Sequence, residues 1–192
     1  MIFTETKLKG AFIIDVERNE DDRGFFGRSW CKKEFEAHGL NSDFVQSSVS
    51  YTRHAKTLRG LHYQVPPFAE CKIVRCTSGT VFDVIVDIRP ESPTFTEWIS
   101  VELTGNNFRT IYVPQGFAHG FISLKDHASV HYMASQYYTP DSESGLLFDD
   151  PTFNIEWPMQ PLHISKKDKM RSLFMDGRIR KTRQQLDYDY HR

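Results

Sequence analysis

Apolar and polar residues alternate in short runs over the middle of the chain, from Asp43 to Tyr138, and turn residues separate the runs. Such runs are typical of β-strands with one buried face, because successive side chains on a strand point to opposite faces. The runs CKIVRC and TVFDVIVDIR, joined by TSG, predict a hairpin, and TFTEWISVEL and FRTIYVP, joined by TGNN, predict another. GFAHGFISL and ASVHYMASQYY continue the series. The pattern therefore predicts an all-β domain, a sandwich or barrel of the jelly-roll kind.

Helical signals are few, and we expect only short peripheral helices. The segment SWCKKEFEAHG predicts one early helix, with Ser29 as its N-cap and Gly39 as its stop. The length of 192 residues suits a single domain with a sizeable core, which we place at residues 1–175. Residues 176–192 are charged and poor in aliphatic side chains, and they predict an extension outside that core.

The run TVFDVIVDIR predicts a strand with two different faces. One face, which carries Val84 and Val86, is purely apolar and should pack against a dry surface. The other carries Asp83 and Asp87 among aliphatic residues. Those carboxylates fit either a solvated sheet surface or the polar lining of a barrel mouth.

Composition and charge narrow the possible partners. The formal net charge is −1, so nothing marks the chain as a general binder of nucleic acid or of an anionic membrane. No apolar run approaches the roughly 20 residues that span a bilayer, and the start MIFTETKLKG lacks the features of a signal peptide. Cys31, Cys71 and Cys76 form no CxxC pair, and we interpret them as reduced thiols in a cytoplasmic protein.

Two segments resemble the motifs of the cupin barrel, a jelly-roll fold that often holds a metal. PQGFAH, which ends at His119, matches the second motif, PxGxxH. In the first motif, Gln64 stands where the second histidine of HxH is expected, two residues after His62, and Lys72 replaces the glutamate. A charged ammonium group cannot ligate a metal, so the sequence predicts no metal site. It also predicts that His62 and Lys72 face one cavity, where the lysine supplies the positive charge.

Longer segments resemble one enzyme family. DDRGFF, LRGLHYQ, KIVRCTSGTVFDVIVDIRPESPTF, YVPQGFAHGF, VHYMASQYYTP, FDDPTFNIEWP and ISKKD follow the order and spacing of the dTDP-4-dehydrorhamnose 3,5-epimerase family, from about Gly10 to Asp168. The resemblance implies a cupin jelly-roll barrel that forms a homodimer. It also implies epimerisation, without a cofactor, at C3, C5 or both of a nucleotide-linked 4-keto-6-deoxyhexose in deoxysugar biosynthesis.

The resemblance also implies roles for four catalytic residues. His62 matches the family's base, and Asp168 matches the carboxylate that pairs with it and orients its ring. Lys72 matches the residue that holds the 4-keto oxygen, and Tyr132 matches the acid on the opposite face of the sugar. Taken from the strand pattern alone, Tyr132 would be an aromatic residue of the core.

Binding residues follow from the same resemblance. Arg59 and His119 match positions that meet the diphosphate, where the fixed fork of an arginine suits paired oxygens. Gln46 and Tyr138 match positions near the nucleotide, and Tyr138 is a candidate to stack on the base.

A second group of positions concerns the partner subunit and the identity of the nucleotide. Arg23 and Phe26 match a segment that reaches into the partner's site in the family. Two further candidate binding positions depart from the family pattern: Arg28 stands where a glutamate is usual, and Ser48 where an asparagine is usual. These departures leave the nucleotide and the hexose open.

Two other function classes stay open beside the epimerase. One is a metal-dependent cupin, which the replaced ligand positions disfavour and elemental analysis would test. The other is a barrel that binds a nucleotide sugar without turning it over, which would need no acid–base pair. An epimerase that inverts C3 only, or that uses a different nucleotide sugar, is the alternative within the family.

Overall fold

The computed structural model describes residues 1–174, which form two facing β-sheets and two short helices. The predicted extension at 176–192 lies outside the described residues. The helices are α1 (Lys32–Ala37) and α2 (Lys166–Lys169). The strands are β1 (Ile2–Glu5), β2 (Phe12–Asp15), β3 (Asn19–Asp21), β4 (Gly24–Phe26), β5 (Gln46–Thr52), β6 (Thr57–Gln64), β7 (Lys72–Ser78), β8 (Thr80–Asp87), β9 (Trp98–Thr104), β10 (Thr110–Val113), β11 (Phe117–Ser123), β12 (Ala128–Ala134), β13 (Glu143–Gly145) and β14 (His163–Ile164).

The first sheet has the strand order β1-β2-β10-β7-β12-β5, and the second has the order β13-β6-β11-β8-β9, with β14 also paired to β6. The strands β3 and β4 form a separate small hairpin. This arrangement is of the jelly-roll kind, as the sequence predicts. No helix among residues 1–174 is long and apolar enough to cross a membrane.

Both predicted hairpins are wrong. Strand β7 pairs with β10 and β12 in the first sheet, whereas β8 pairs with β9 and β11 in the second. Strands β9 and β10 likewise lie in different sheets. The alternation of side chains fixes which face of a strand is buried but does not fix its hydrogen-bonded neighbour. The short TSG segment therefore carries the chain from one sheet to the other instead of closing a hairpin.

The main core lies between the sheets and draws on both of them. Each large aliphatic side chain that it buries completely contributes about 1.5–3 kcal/mol. The buried side chains of this core include Leu8, Val74, Val81, Ile85, Leu103, Ile111, Phe121 and Val130.

The two faces of β8 are occupied differently. Val84 and Val86 pack on the outer side of the second sheet, where Phe153 and Trp157 from the C-terminal part of the described chain cover them. This confirms the predicted dry face. Asp83 lies neither on a solvated surface nor in the lining of a pocket, because it is fully buried and bound to a neighbouring side chain, as is Asp87.

Helix α1 begins later than predicted. Its N-cap is Cys31, whose backbone is extended and whose carbonyl accepts the first helical hydrogen bonds, so Ser29 lies outside the helix. Gly39 follows the end of the helix with a φ of +69°, a left-handed conformation that favours glycine. The helix buries Phe35 against the ring of Tyr112.

Candidate active site

A cavity of about 470 Å³ opens between the two sheets. Strands β5, β7 and β12 form one wall, β6 and β11 form the opposite wall, and α2 with the segment before it covers one side. Nine of the twelve predicted site residues line the cavity, and they come from distant parts of the chain. They are Gln46, Ser48, Arg59, His62, Lys72, His119, Tyr132, Tyr138 and Asp168.

An irregularity in β6 brings Arg59 and His62 to the same cavity. Residues three apart on a regular strand point to opposite faces. Here His119 aligns with His62 and Phe121 with Arg59, so β6 contains one more residue than β11 over this stretch. Gly60 adopts a φ of +135° at this bulge, and a Cβ atom there would lie 2.5 Å from the backbone of β11. Only glycine suits this close approach.

His62 and Asp168 form a hydrogen-bonded pair in which the carboxylate is buried and the imidazole is partly exposed. The Nε2 atom of His62 lies 2.6 Å from Oδ1 of Asp168, whose residue is only 5% exposed. Ser165 caps the short helix α2 by accepting the backbone N–H of Asp168, which fixes where the carboxylate lies. Burial would raise the pKa of Asp168, but the hydrogen bond and charge of His62, with help from Ser165 and Arg171, lower it. The carboxylate therefore stays ionised beside the imidazole.

A second histidine in the cavity is paired in the same way. His119 donates from Nε2 to both carboxylate oxygens of Asp83, at 3.0 and 2.9 Å. Asp83 is completely buried, so this interaction fixes the ring of His119 at the cavity wall. His62 and His119 are directly aligned on β6 and β11.

Lys72 begins β7 on the opposite wall. Its Nζ atom lies 2.9 Å from the Glu70 carboxylate and 3.5 Å from the backbone carbonyl of His62. Lys72 and Glu70 are both largely buried, with side chains 14% and 7% exposed. Lys72 is therefore paired with Glu70, whereas Asp83 is bound to His119.

Tyr132 lies on the same wall as Lys72. Tyr132 aligns with Val74 and Ala134 aligns with Lys72, so the phenol and the ammonium share one face of the sheet. Tyr132 is partly buried, packs against the main core, and lines the cavity.

A charged cluster borders the cavity beside Tyr138. The Glu143 carboxylate accepts hydrogen bonds from the Tyr138 hydroxyl at 2.6 Å, from Lys167 at 2.5 Å and from Arg171. Burial would raise the pKa of Glu143, but these three donors hold it at about 2. The Tyr138 backbone N–H also donates to the side chain of Gln46. The cluster therefore fixes the ring that was predicted to lie near the nucleotide.

Three predicted residues lie away from the cavity of their own chain. Arg23 and Phe26 lie on the β3–β4 hairpin, where the Arg23 side chain is 89% exposed and Phe26 is 75% exposed. Arg28 forms an ion pair with Glu34 of α1 at 2.9 Å.

Sequence reasoning missed Glu70, Glu143 and Lys167, which also line the cavity. Glu70 precedes Lys72 by two residues, and strand alternation could have placed the two on one side. Lys167 lies within the recognised segment ISKKD. The sequence around Glu143 contained no feature that indicated a place in the cavity. Its partners Lys167 and Arg171 are distant in sequence, and Tyr138 is not placed beside it by any regular pattern.

The arrangement combines the groups that proton transfer at carbon requires. An imidazole held by a carboxylate can accept a proton, a nearby ammonium can stabilise a developing oxyanion, and a phenol can donate a proton. Within residues 1–174, no three histidine, cysteine or acidic side chains form a group that could hold a metal ion.

Comparisons with known proteins agree over nearly the whole described chain. Residues 5–176 match the family model described as dTDP-4-dehydrorhamnose 3,5-epimerase. The protein of that name from Shigella flexneri is 43% identical over 174 residues, covering 90% of this chain and 96% of the relative. The crystal structure of the one from Elizabethkingia anophelis NUHP1 has a TM-score of 0.89 at 37% identity, covering 93% of this chain and 99% of that one. The structure from Bacillus anthracis str. Ames, with TDP and PPi bound, has a TM-score of 0.87 at 41% identity, covering 90% and 99%.

Proposed function

The chain belongs to the dTDP-4-dehydrorhamnose 3,5-epimerase family and is an isomerase of that family, and we propose that it epimerises C3 and C5 of a dTDP-linked 4-keto-6-deoxyhexose. The observation that carries the proposal is the pair formed by His62 and Asp168, which lies in one cavity with Lys72 and Tyr132.

The reaction requires a base, stabilisation of the enolate, and a proton donor on the opposite face of the sugar. A hydrogen on the carbon next to a ketone is very weakly acidic, so its removal needs a positioned base and a cation or donor at the ketone oxygen. Reprotonation from the other face then inverts the centre. Because both carbons flank the same ketone, one set of residues can serve C3 and C5 in turn.

We assign the base to His62. Asp168 engages Nε2, so the other ring nitrogen, Nδ1, keeps the lone pair that accepts the substrate proton. The ionised Asp168 stabilises the imidazolium that forms. Its burial excludes water that would otherwise weaken this interaction.

Lys72 and Tyr132 serve the enolate from the other wall of the cavity. The Lys72 ammonium meets the 4-keto oxygen and stabilises the negative charge that grows there. The Tyr132 phenol carries an O–H group and delivers its proton to carbon. His62 and Tyr132 lie on opposite walls of the cavity, so a different residue transfers the proton at each face of the sugar.

The nucleotide and diphosphate occupy the remaining polar lining. We assign Arg59 and His119 to the diphosphate, Gln46 and Ser48 to the nucleotide, and Tyr138 to stacking on the base. The Bacillus anthracis relative was solved with TDP and PPi bound, which supports a ligand of this class.

A second copy of the chain completes the site in this proposal. Arg23 and Phe26 extend on an exposed hairpin that does not line their own cavity, and an aromatic ring as exposed as Phe26 suits burial against a partner. Arg28 follows on the same segment and would approach the partner's nucleotide. Three free thiols fit a reducing compartment, so we place the homodimer in the cytoplasm.

The test uses NMR in D₂O with a panel of nucleotide-linked 4-keto-6-deoxyhexoses that differ in the nucleotide. We expect deuterium to enter at C3 and C5 of the dTDP sugar. His62→Ala should lower that exchange by about 10²–10⁴-fold, the usual contribution of a general base, while nucleotide binding persists. Absence of exchange with every sugar would contradict the function, and near-normal exchange in His62→Ala would contradict the assignment of the base.

A further inference from the structure

The base and the cation of the proposed reaction lie on different sheets, which poses a problem of alignment. His62 belongs to β6 of the second sheet, and Lys72 belongs to β7 of the first. No β-ladder joins these strands, so hydrogen bonding within a sheet does not fix the ammonium relative to the imidazole. A lysine side chain also has four rotatable bonds and a correspondingly high conformational entropy.

Glu70 connects the two strands. One oxygen of its carboxylate lies 2.9 Å from the Lys72 ammonium, and the other accepts the backbone N–H of Gln64 at 3.2 Å. Gln64 lies on β6, two residues after His62, so the carboxylate joins the ammonium directly to the strand that carries the base. With its side chain 7% exposed, Glu70 makes both contacts largely shielded from water.

The segment that carries Glu70 is itself held in place. The side-chain amide of Gln64 donates to the carbonyls of Phe68 and Tyr137, and its oxygen accepts the backbone N–H of Thr139. These bonds link the loop between β6 and β7 to the chain that follows β12. Glu70 therefore acts from a fixed position.

We propose that Glu70 is a positioning residue that orients the Lys72 ammonium toward the substrate ketone; this inference rests on the proposed function. An ammonium group has three N–H donors. Glu70 takes one, and the carbonyl of His62 lies 3.5 Å away as a second, longer acceptor. The remaining donor is directed by these two contacts and is free for the oxyanion.

Three substitutions of Glu70 separate the effect of its side-chain length from the effect of its charge. Glu70→Gln keeps the length and an acceptor oxygen, Glu70→Asp keeps the charge but withdraws it by one C–C bond of about 1.5 Å, and Glu70→Leu removes the acceptor. We expect kcat to fall by about 10- to 100-fold in the Leu and Asp variants, the size of effect that an error of about 1 Å produces in a positioned group. The Gln variant keeps an acceptor for the ammonium but places its NH2 group against the backbone N–H of Gln64, so kcat should fall less than in the Leu and Asp variants. KM should change less than about threefold throughout.

Ser135→Ala is the matched control. The Ser135 hydroxyl accepts the backbone N–H of Cys71, the residue between Glu70 and Lys72, at 2.8 Å, and it does not contact the ammonium. Its loss should disturb the same segment while leaving kcat within about twofold of the unsubstituted protein. An equal loss in Ser135→Ala and Glu70→Leu would overturn the proposal, as would a change confined to KM.

A measurement without substrate tests Glu70 separately from the reaction. In ¹H–¹⁵N spectra of lysine ammonium groups, the signal absent from Lys72→Met reports on Lys72. We expect this signal to persist in Glu70→Gln and to disappear in Glu70→Leu, because the freed ammonium exchanges its hydrogens with water. Its persistence in Glu70→Leu would overturn the proposal. If no sugar is turned over, the proposed function fails while this spectrum still decides the role of Glu70.

Discussion

Asp87 and Asp21 provide a matched pair for measuring what burial adds to an ion pair. Each aspartate accepts from the backbone N–H, the Nε and an Nη of the arginine two residues later, Arg89 and Arg23 respectively, at distances between 2.6 and 3.2 Å. Asp87 is completely buried, whereas the Asp21 side chain is 51% exposed. The perturbation is Asp→Asn at each position.

The structure indicates a large cost at Asp87. Its Oδ2 atom accepts from an Nη of Arg89 at 2.7 Å, from the Ser92 hydroxyl at 2.5 Å and from the Thr94 hydroxyl at 2.7 Å. An amide nitrogen at this position would face these donors with hydrogens of its own. Breaking a buried ion pair costs about 3–5 kcal/mol, and since Arg89 is 32% exposed we expect the lower end, about 3 kcal/mol. Asp21→Asn should cost far less than Asp87→Asn, because the Asp21–Arg23 pair is exposed within its own chain and exposed pairs contribute little.

The assay is urea unfolding at one fixed protomer concentration, repeated at several pH values. For a slope near 3 kcal/mol per molar, the midpoint of Asp87→Asn should fall by about 1 M. Burial would raise the pKa of Asp87, but its bonds to Arg89, Ser92 and Thr94 lower it. A lowered folded-state pKa means that the stabilisation is complete above the unfolded value of about 3.9 and is lost as the pH falls through the folded value.

The difference between the unsubstituted protein and Asp87→Asn should therefore stay constant from about pH 8 to 5 and narrow below about pH 4. Equal midpoints for Asp87→Asn and Asp21→Asn at pH 7 would refute the role assigned to burial. A difference that widens in acid would refute the sign of the pKa shift.

Two further predictions concern the proposed reaction and use the same D₂O assay. Lys72→Met keeps the apolar stem and removes the charge, so turnover should fall far more than affinity, because the enolate carries more charge than the ketone; a loss of affinity alone would assign Lys72 to the diphosphate. Tyr132→Phe should lose inverted product much more steeply than it loses deuterium exchange, since His62 can still remove and return a proton on its own face. Equal losses of exchange and inversion would show that another donor delivers the second proton.

The fold class was predictable from sequence, but the strand pairing was not. Alternation identified Val84 and Val86 as a buried face, and the structure confirms this. Alternation is a property of one strand, however, and contains no information about which strand lies beside it. Strands β7 and β8 are adjacent in sequence and belong to different sheets, a result decided by how two apolar faces close on one core.

The candidate site was predictable where long motifs identify residues and unpredictable where partners meet through folding. The recognised motifs predicted His62, Lys72, Tyr132 and Asp168, all of which line one cavity. The partner of Lys72 was not predicted, because no motif identified Glu70 as the carboxylate that pairs with it. Asp83 binds His119, because the faces of β8 and β11 that meet are set by strand register and not by local sequence.

The pair formed by His62 and Asp168 joins residues 106 positions apart. A ribosome adds about 5–20 residues per second, so His62 is made roughly 5–20 seconds before the carboxylate that orients it. Strand β2 likewise cannot pair with β10 until that strand has been synthesised, since Phe12 aligns with Tyr112. A nascent chain that stops before α2 therefore has an imidazole without its partner. The pair therefore forms only after α2 has been made, as a late consequence of topology.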